Sequence, residues 1–457
     1  MAKEPIEDVV VVIPGILGSA LEKNGRTVWD MSAGAALRAL FSLGGSIEDL
    51  ALEGDDPEAD DLGDGVRATR VLPDLHLVPG LWKIDGYGAI TKRLKRQFDL
   101  IPGDNYFEFA YDWRRDNRVA GRRLRRLSHE WLKAWRAKSG ADNARLVILA
   151  HSMGGLVARS FLELEEGWKD TRTLVTFGTP YRGSLNAASF IANGFEKKVG
   201  PLTIVDLTDM LRSLTSVHQL LPIYPCIDDG SGELKRPAEA NGFPNLDPTK
   251  AKAALVFHRA IDDAVKSNRS DDGYAQNGYR LEPVVGTDQP TSNSGRIQGD
   301  RLVMSQSIHG DRILGDGTVP RPSAYPLELE DSTEGVFSGQ PHASIQNQAG
   351  ILDHVAGLMT ALRLDLGRFR KPPLRIGLDT EDLWEAEQGA PVAIETNDPD
   401  SRISVVVTDA ETGAELARVD SGTGRERTLE VPGVPAGAYR VTAMSGDVSV
   451  TDVVLAS

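Results

Sequence analysis

One cysteine, Cys226, stands in 457 residues. An intramolecular disulfide is therefore impossible, which suits a reducing compartment. Long apolar runs are missing too: no stretch approaches the ~18 residues that a membrane-spanning helix needs. The opening Met1-Ala-Lys-Glu-Pro-Ile-Glu-Asp8 has no basic segment leading into an extended apolar one, so no secretory leader is legible. These absences set the expectation of a cytoplasmic protein that meets membranes peripherally if at all. Basic charge is in short supply, with 51 Lys and Arg against 66 Asp and Glu and a net charge of -15. A chain so acidic is repelled as a whole by anionic surfaces and is not a general nucleic-acid binder. The glycines fit neither a P-loop, which would need a following Lys-Ser or Lys-Thr, nor a G-x-G-x-x-G dinucleotide loop. Histidine is sparse, at eight residues, which makes elimination practicable below.

What remains is ordinary globular material: 40% hydrophobic and 26% charged residues, in a length that suits two or three domains. Near-continuous apolar runs at Val9–Ile13, Phe107–Tyr111, Leu146–Ala150, Leu174–Phe177 and Glu282–Val285 predict strands of a parallel sheet covered on both faces. Between them, Ala120, Leu124, Leu127, Trp131 and Trp135 share one face of a helix. Strand–helix alternation of this kind predicts an α/β doubly wound sheet. Three insertions interrupt it. The first, 26–82, mixes Trp29, Leu37, Leu40, Phe41 and Leu43 with an acidic tract from Glu53 to Asp64. The second, 185–277, has a helical pattern near Pro248–Val265. The third, 287–312, has a hairpin-like stretch around Ser294–Asp300. The first two are expected to form lids or substrate walls.

A further helical pattern covers Ser344–Leu364, and the text changes at Lys371-Pro372-Pro373. Short alternating segments follow at Val392–Glu395, Ile403–Val407, Glu415–Val419, Thr428–Val431, Tyr439–Ala443 and Val448–Val454, separated by turn signals. This predicts a catalytic domain over 1–370 and a small immunoglobulin-like β-sandwich over 374–457. The sandwich shows no catalytic constellation and reads as a packing module or a protein-partner module.

The chemistry starts at Ala150-His151-Ser152-Met153-Gly154. An apolar strand precedes it and a helical run follows, which is the setting of a G-x-S-x-G nucleophile elbow with alanine at the first glycine position. A serine at its free pKa is a poor nucleophile and needs a base, itself oriented by a carboxylate. In α/β-hydrolases these partners follow in the order acid, then histidine. His76 and His129 precede the serine, His151 lies inside the elbow and points away, and His218 and His258 fall in the second insertion. Gly315-Asp316-Gly317-Thr318-Val319-Pro320 offers a carboxylate on a tight turn at a late strand end. With Asp316 as the acid, His309 is excluded by order, and His342 and His354 remain. His342 is on a loop and His354 on a helix, which favours His342. The oxyanion hole needs two backbone amides. Met153, after the nucleophile, and Ile16, in the loop Pro14-Gly15-Ile16-Leu17-Gly18, are the candidates.

Taken together, Val12-Ile-Pro-Gly-Ile-Leu-Gly-Ser19, Ala110-Tyr-Asp-Trp-Arg114, Ala150-His-Ser-Met-Gly-Gly155 and Gly315-Asp-Gly-Thr-Val-Pro320 resemble the lecithin:cholesterol acyltransferase family. That family includes lysosomal phospholipase A2-like enzymes and phospholipid:diacylglycerol acyltransferases. The resemblance covers about residues 8–365 and leaves the sandwich outside. It implies an α/β-hydrolase fold with a lid and a lipid-facing subdomain, an acyl-ester substrate, a covalent acyl-serine, and neither metal nor cofactor. It also favours His342 as the base. Two departures stand out: Ala150 replaces glycine, and the lid disulfide of the secreted members cannot form. The expectation is thus a serine hydrolase or acyltransferase on lipid esters. The alternatives are an esterase on soluble or polymeric esters, and an interaction protein that works through its sandwich. Last, Arg114, Arg115, Arg118, Arg122, Arg123, Arg125 and Arg126 crowd one helix. They are expected to pair with acidic residues such as the Glu53–Asp64 tract rather than with lipid headgroups.

Overall fold

The computed structural model describes residues 3–30, 48–72, 76–78, 82–84, 86–199, 202–329, 335–360, 374–446 and 448–457. Leu37, Leu40, Phe41, Leu43 and the Lys371-Pro372-Pro373 boundary lie outside these residues.

Six parallel strands build the central sheet: β1 (Val9–Ile13), β2 (Tyr106–Glu108), β3 (Leu146–His151), β4 (Thr171–Phe177), β5 (Arg280–Gly286) and β6 (Val336–Ser338). Their order across the sheet is β6-β5-β4-β3-β1-β2, so the chain steps outward from β1 to the edge and returns past it to β3. The period-two alternation of a strand splits each apolar run between two cores. Val9, Val11 and Ile13 of β1 join Leu146, Ile148 and Ala150 of β3 on one face. Val10 and Val12 join Val147 and Leu149 on the other. Continuous valine and leucine is what a sheet buried on both faces requires, and each such side chain contributes roughly 1.5–3 kcal/mol on burial.

Two helices show how the sequence seals these faces. α1 (Gly88–Gln97) buries Ile90 and Leu94 against the second core. α2 (Asn117–Ser139) starts at Asp116, whose carboxylate accepts from the Arg118 amide, and stops at Gly140, whose φ of 72° a side chain would resist. Its Leu124 is buried, and Trp131 stacks on Phe107 at 4.2 Å. The segment expected as a strand over Phe107–Tyr111 leaves the ladder after Glu108. Phe109 and Tyr111 are apolar because they are buried under the turn, and the Tyr111 amide goes to the Ser19 hydroxyl. β6 was not legible, since three residues carry no periodicity.

After β3 the chain turns at Ser152 into α3 (Gly154–Arg159). A parallel sheet with a strand–serine–helix turn at the carboxyl end of a central strand is the α/β-hydrolase arrangement. The second insertion supplies α4 (Leu185–Asn193) and α5 (Pro248–Arg269), and the third forms an antiparallel hairpin of Ser294–Gln298 with Arg301–Ser305. α6 (Ala349–Thr360) is the last helix described before the carboxyl-terminal strands. No helix among the described residues is long and apolar enough to cross a membrane.

Residues from 376 onward form two facing sheets. One is β7 (Ile376–Thr380), β9 (Ala390–Thr396) and β12 (Glu426–Val431). The other is β8 (Leu383–Trp384), β10 (Ser404–Asp409), β11 (Glu415–Asp420), β13 (Gly437–Ser445) and β14 (Val448–Ala456). Their inward residues, among them Val392, Ile394, Val405, Val407, Val441 and Val454, make a core of their own.

Candidate active site

Ser152 sits at the tip of the β3–α3 turn with φ of 52°, the left-handed region that side chains rarely adopt. Backbone contacts hold it there. Its amide donates to the Phe177 carbonyl at 2.9 Å, and its carbonyl accepts from the Gly155 amide and the Thr179 hydroxyl, both at 3.0 Å. Gly154 is compulsory: a Cβ there would collide with the carbonyl oxygens of Ile13 and Pro14. Ala150, by contrast, is simply the last inward residue of β3 and is fully buried, so one methyl fits.

Asp316 occupies the turn between β5 and β6. Its Oδ1 accepts from the Thr318 and Val319 amides at 2.9 and 2.6 Å, which leaves Oδ2 for His342 Nδ1 at 2.7 Å. The His342 amide donates to the Asp316 carbonyl at 2.7 Å, so backbone and side chain are fixed together. His342 Nε2 then lies 2.9 Å from Ser152 Oγ. A carboxylate on Nδ1 keeps the proton of the neutral imidazole on that nitrogen, so Nε2 is the acceptor for the serine hydroxyl. All three side chains are buried, and the electrostatic attraction between them is little screened. Gly178, with φ of 55°, makes room for the pair. A Cβ there would fall 2.6 Å from Asp316 Oδ2 and 2.9 Å from His342 Nδ1. Phe177-Gly178-Thr179 reads in sequence only as a strand-end turn, and nothing local betrays this role.

A second network was also hidden. The Gly15 amide donates to the Tyr87 hydroxyl at 2.9 Å, and Tyr87 Oη lies 3.0 Å from His151 Nδ1. His151 Nε2 lies 3.0 Å from the His342 carbonyl. A carbonyl only accepts, so Nε2 of the neutral His151 ring carries its proton and Nδ1 accepts from Tyr87. Burial pushes the Tyr87 phenol well above its usual pKa, which keeps it a donor. His151 does face away from the serine, yet it ties the Gly15 loop to the backbone of His342.

Five of the remaining histidines lie elsewhere. His354 is buried on α6 with Nε2 4.0 Å from Glu282, and burial pulls its pKa down to about 4. His218 Nδ1 and His258 Nε2 are hydrogen-bonded to the Leu214 and Gln219 carbonyls at 2.8 and 2.7 Å. His129 and His309 are exposed.

Ile16 and Leu17 line an apolar pocket together with Ser152, Ala187 and Phe190 of α4, and Val217. Among the described residues, neither the Ile16 nor the Met153 amide is engaged in a hydrogen bond, whereas the Gly15 amide is taken by Tyr87. No cluster of side chains that could hold a metal ion is present among the described residues.

Arg114 and Arg115 lie in the turn before α2 rather than on the helix, and most of the arginine-rich segment is paired from within the chain. Arg114 bridges Asp112 and Asp64 at 2.7 and 2.8 Å, Arg115 reaches Asp55 at 3.0 Å, and Arg126 reaches Asp60 at 2.7 Å. Arg115 also donates to three carbonyls of the acidic tract. These pairs tie the acidic tract of the first insertion to α2 and the turn before it.

Residues 84–258 match the family model described as lecithin:cholesterol acyltransferase. The chain is 36% identical over 161 residues to an uncharacterized protein of Saccharomyces cerevisiae, covering 35% of this chain and 21% of that one. It is 28% identical over 126 residues to the lysosomal phospholipase A and acyltransferase of Homo sapiens, covering 26% of this chain and 29% of that one. The matches thus span less than a third of the length of either curated relative. Among solved structures, the Tle4–Tli4 complex aligns with a TM-score of 0.49 at 14% identity, over 81% of this chain and 99% of that one. A likeness that loose carries no argument; the fold rests on the sheet order above. Over residues 84–258, Ser152 among them, the chain is thus similar to the lecithin:cholesterol acyltransferase family.

Proposed function

We propose that the chain is a serine ester hydrolase or acyltransferase that acts on lipid esters, in the manner of a phospholipase or lipase, through an acyl-serine intermediate. The observation that carries this reading is the unbroken line from Asp316 Oδ2 through His342 to Ser152 Oγ, with links of 2.7 and 2.9 Å. His342 Nε2 takes the hydroxyl proton as Ser152 Oγ adds to the ester carbonyl. Asp316 steadies the imidazolium that forms. The Ile16 and Met153 amides bind the oxyanion of the tetrahedral intermediate, a contribution worth roughly 3 kcal/mol per donor in comparable sites. Collapse expels the alcohol, which takes the proton from Nε2, and leaves the acyl-serine. Water or a second alcohol then repeats the sequence in reverse.

The lipid half of the reading is supported by the family match and by the pocket beside Ser152. Its walls of Leu17, Phe190, Leu211 and Val217 suit an acyl chain. As part of the same proposal, the enzyme is cytoplasmic and meets its lipid substrate by peripheral contact with a membrane.

Ser152→Ala is expected to lower turnover of p-nitrophenyl butyrate by about 10^4-fold or more and to abolish labelling by a fluorophosphonate probe. Undiminished turnover by the purified variant would falsify the assignment. Rates that rise with acyl length and on addition of micelles support the lipid substrate. Rates that peak at acetate and ignore micelles favour a soluble ester.

A further inference from the structure

The loop that carries Ile16 is gripped from outside. Leu17 has φ of 62°, a left-handed backbone that a branched side chain keeps only where its surroundings impose it. Within the loop the Gly18 amide donates to the Gly15 carbonyl at 3.1 Å. Three aromatic side chains from elsewhere in the chain do the gripping. The Tyr111 hydroxyl donates to the Pro14 carbonyl and Trp29 Nε1 to the Leu17 carbonyl, both at 3.0 Å. The Tyr87 hydroxyl accepts from the Gly15 amide at 2.9 Å. The backbone is thus anchored on both sides of Ile16.

Tyr87 is also joined to the base loop by two routes. Its hydroxyl donates to His151 Nδ1, and His151 Nε2 donates to the His342 carbonyl, both at 3.0 Å. Beside it, the Gly86 carbonyl accepts from Gln346 Nε2 at 2.9 Å, and the same nitrogen donates to the Ala343 carbonyl at 3.0 Å. Tyr87, His151 and Gln346 are all buried, so these bonds reinforce one another and are shielded from water. Gly15 presses on the same ring: a Cβ there would fall 2.9 Å from Ser152 Cβ and 3.3 Å from His151 Nδ1. On its other side the base loop is held by the sandwich. Gln340 donates to the Ser449 carbonyl at 2.6 Å and accepts from the Thr451 amide at 3.1 Å. Gln289 donates to the Gly339 carbonyl at 2.6 Å and accepts from the Leu378 amide at 3.4 Å.

We propose that Tyr87 and His151 are positioning residues, and that the bridge they form fixes the Ile16 amide and the His342 imidazole relative to each other across Ser152. This rests on the serine-hydrolase reading above. The reaction makes that relation matter. As Ser152 Oγ adds to the carbonyl carbon, its proton passes to His342 Nε2 and negative charge gathers on the carbonyl oxygen. One event therefore creates a cation on the base loop and an anion against the Ile16 loop. The amide stabilises that anion only while both loops keep their places. A tyrosine hydroxyl suits the joint, because it accepts from one loop while it donates towards the other.

Tyr87→Phe removes the hydroxyl and keeps the ring. We expect kcat for p-nitrophenyl butyrate to fall by about 30-fold, with KM within about twofold of the wild type. Butylboronic acid takes up the Ser152 oxygen as a tetrahedral anion and needs the same amide, so its affinity should fall by a similar factor. A role in packing alone would shift the urea midpoint and leave the boronate affinity of the folded enzyme unchanged. That result overturns the proposal, as does a kcat within about twofold of the wild type. His151→Phe should match Tyr87→Phe, and the double variant should lose little more than either, since both changes break one bridge. Multiplied losses, of about 10^3-fold, overturn the bridge. His151→Gln keeps an acceptor and a donor in one side chain and should restore kcat to within about fivefold of the wild type. If Tyr87→Phe does not fold, this pair decides: equal kcat in His151→Phe and His151→Gln overturns the proposal. A wild type that neither turns over p-nitrophenyl butyrate nor takes a fluorophosphonate label would instead sink the serine reading, and the bridge with it.

Discussion

The elbow and the base loop hold their side chains by opposite means. Ser152 is fixed by its neighbours: a buried strand before it, a helix after it, and a glycine at 154 that lets the turn pass under Pro14. His342 has only the three-residue β6 before it. Distant residues fix it instead: Asp316 by side chain and backbone, His151 at its carbonyl, and Gln340 through strand β14 more than a hundred residues further on. Local geometry makes the nucleophile and long-range bonding makes the base. Damage to the first should appear as lost stability, and damage to the second as lost rate.

The largest effect should come from removing the base itself. His342→Ala is expected to lower kcat/KM for p-nitrophenyl butyrate by about 10^4-fold, while His354→Ala, on α6, keeps most of it. The reverse ranking in steady-state kinetics would move the base to the helix. Next, Gly154→Ala inserts a methyl where two carbonyl oxygens stand. We expect a loss of roughly 2–3 kcal/mol in urea unfolding; an unchanged midpoint would mean that the elbow is looser than its geometry. The smallest effect tests the loop. Gln340→Leu should lower kcat by about tenfold through misplacement of His342. KM and the urea midpoint should move little. Restored kcat in Gln340→Glu, which keeps the acceptor for the Thr451 amide, would mark that bond as the one that positions the base. A stability loss without a rate loss would erase the contrast between the two regions.

The same contrast decides what could be read from the residues. Val9–Ile13 and Leu146–Ala150 announce buried strands because every position is apolar, and both pair in the central sheet. Ser152 stands out because its strand, turn and helix are contiguous. Asp316 and His342 emerge only by chain order and elimination, and the structure brings both to the serine. Met153 follows the serine directly, and Ile16 lines the pocket with it. Tyr87, Gly178 and Gln340 could not be found, since each matters through a partner that adjacent residues do not reveal. The sandwich strands were legible by alternation, whereas their contact with the base loop depends on two glutamines that look like any others.

The carboxyl end of the chain also bears on when activity can begin. A ribosome delivers the serine and its strand early, Asp316 and His342 more than 150 residues later, and the strand that clasps Gln340, Val448–Ala456, more than a hundred residues after that glutamine. Until β14 pairs, Gln340 lacks its partners and the base loop is unsettled, and a chain cut before residue 342 lacks the base altogether. On the serine-hydrolase proposal, the order of synthesis therefore works as a timer: attack on an ester waits until β14 has been made and paired.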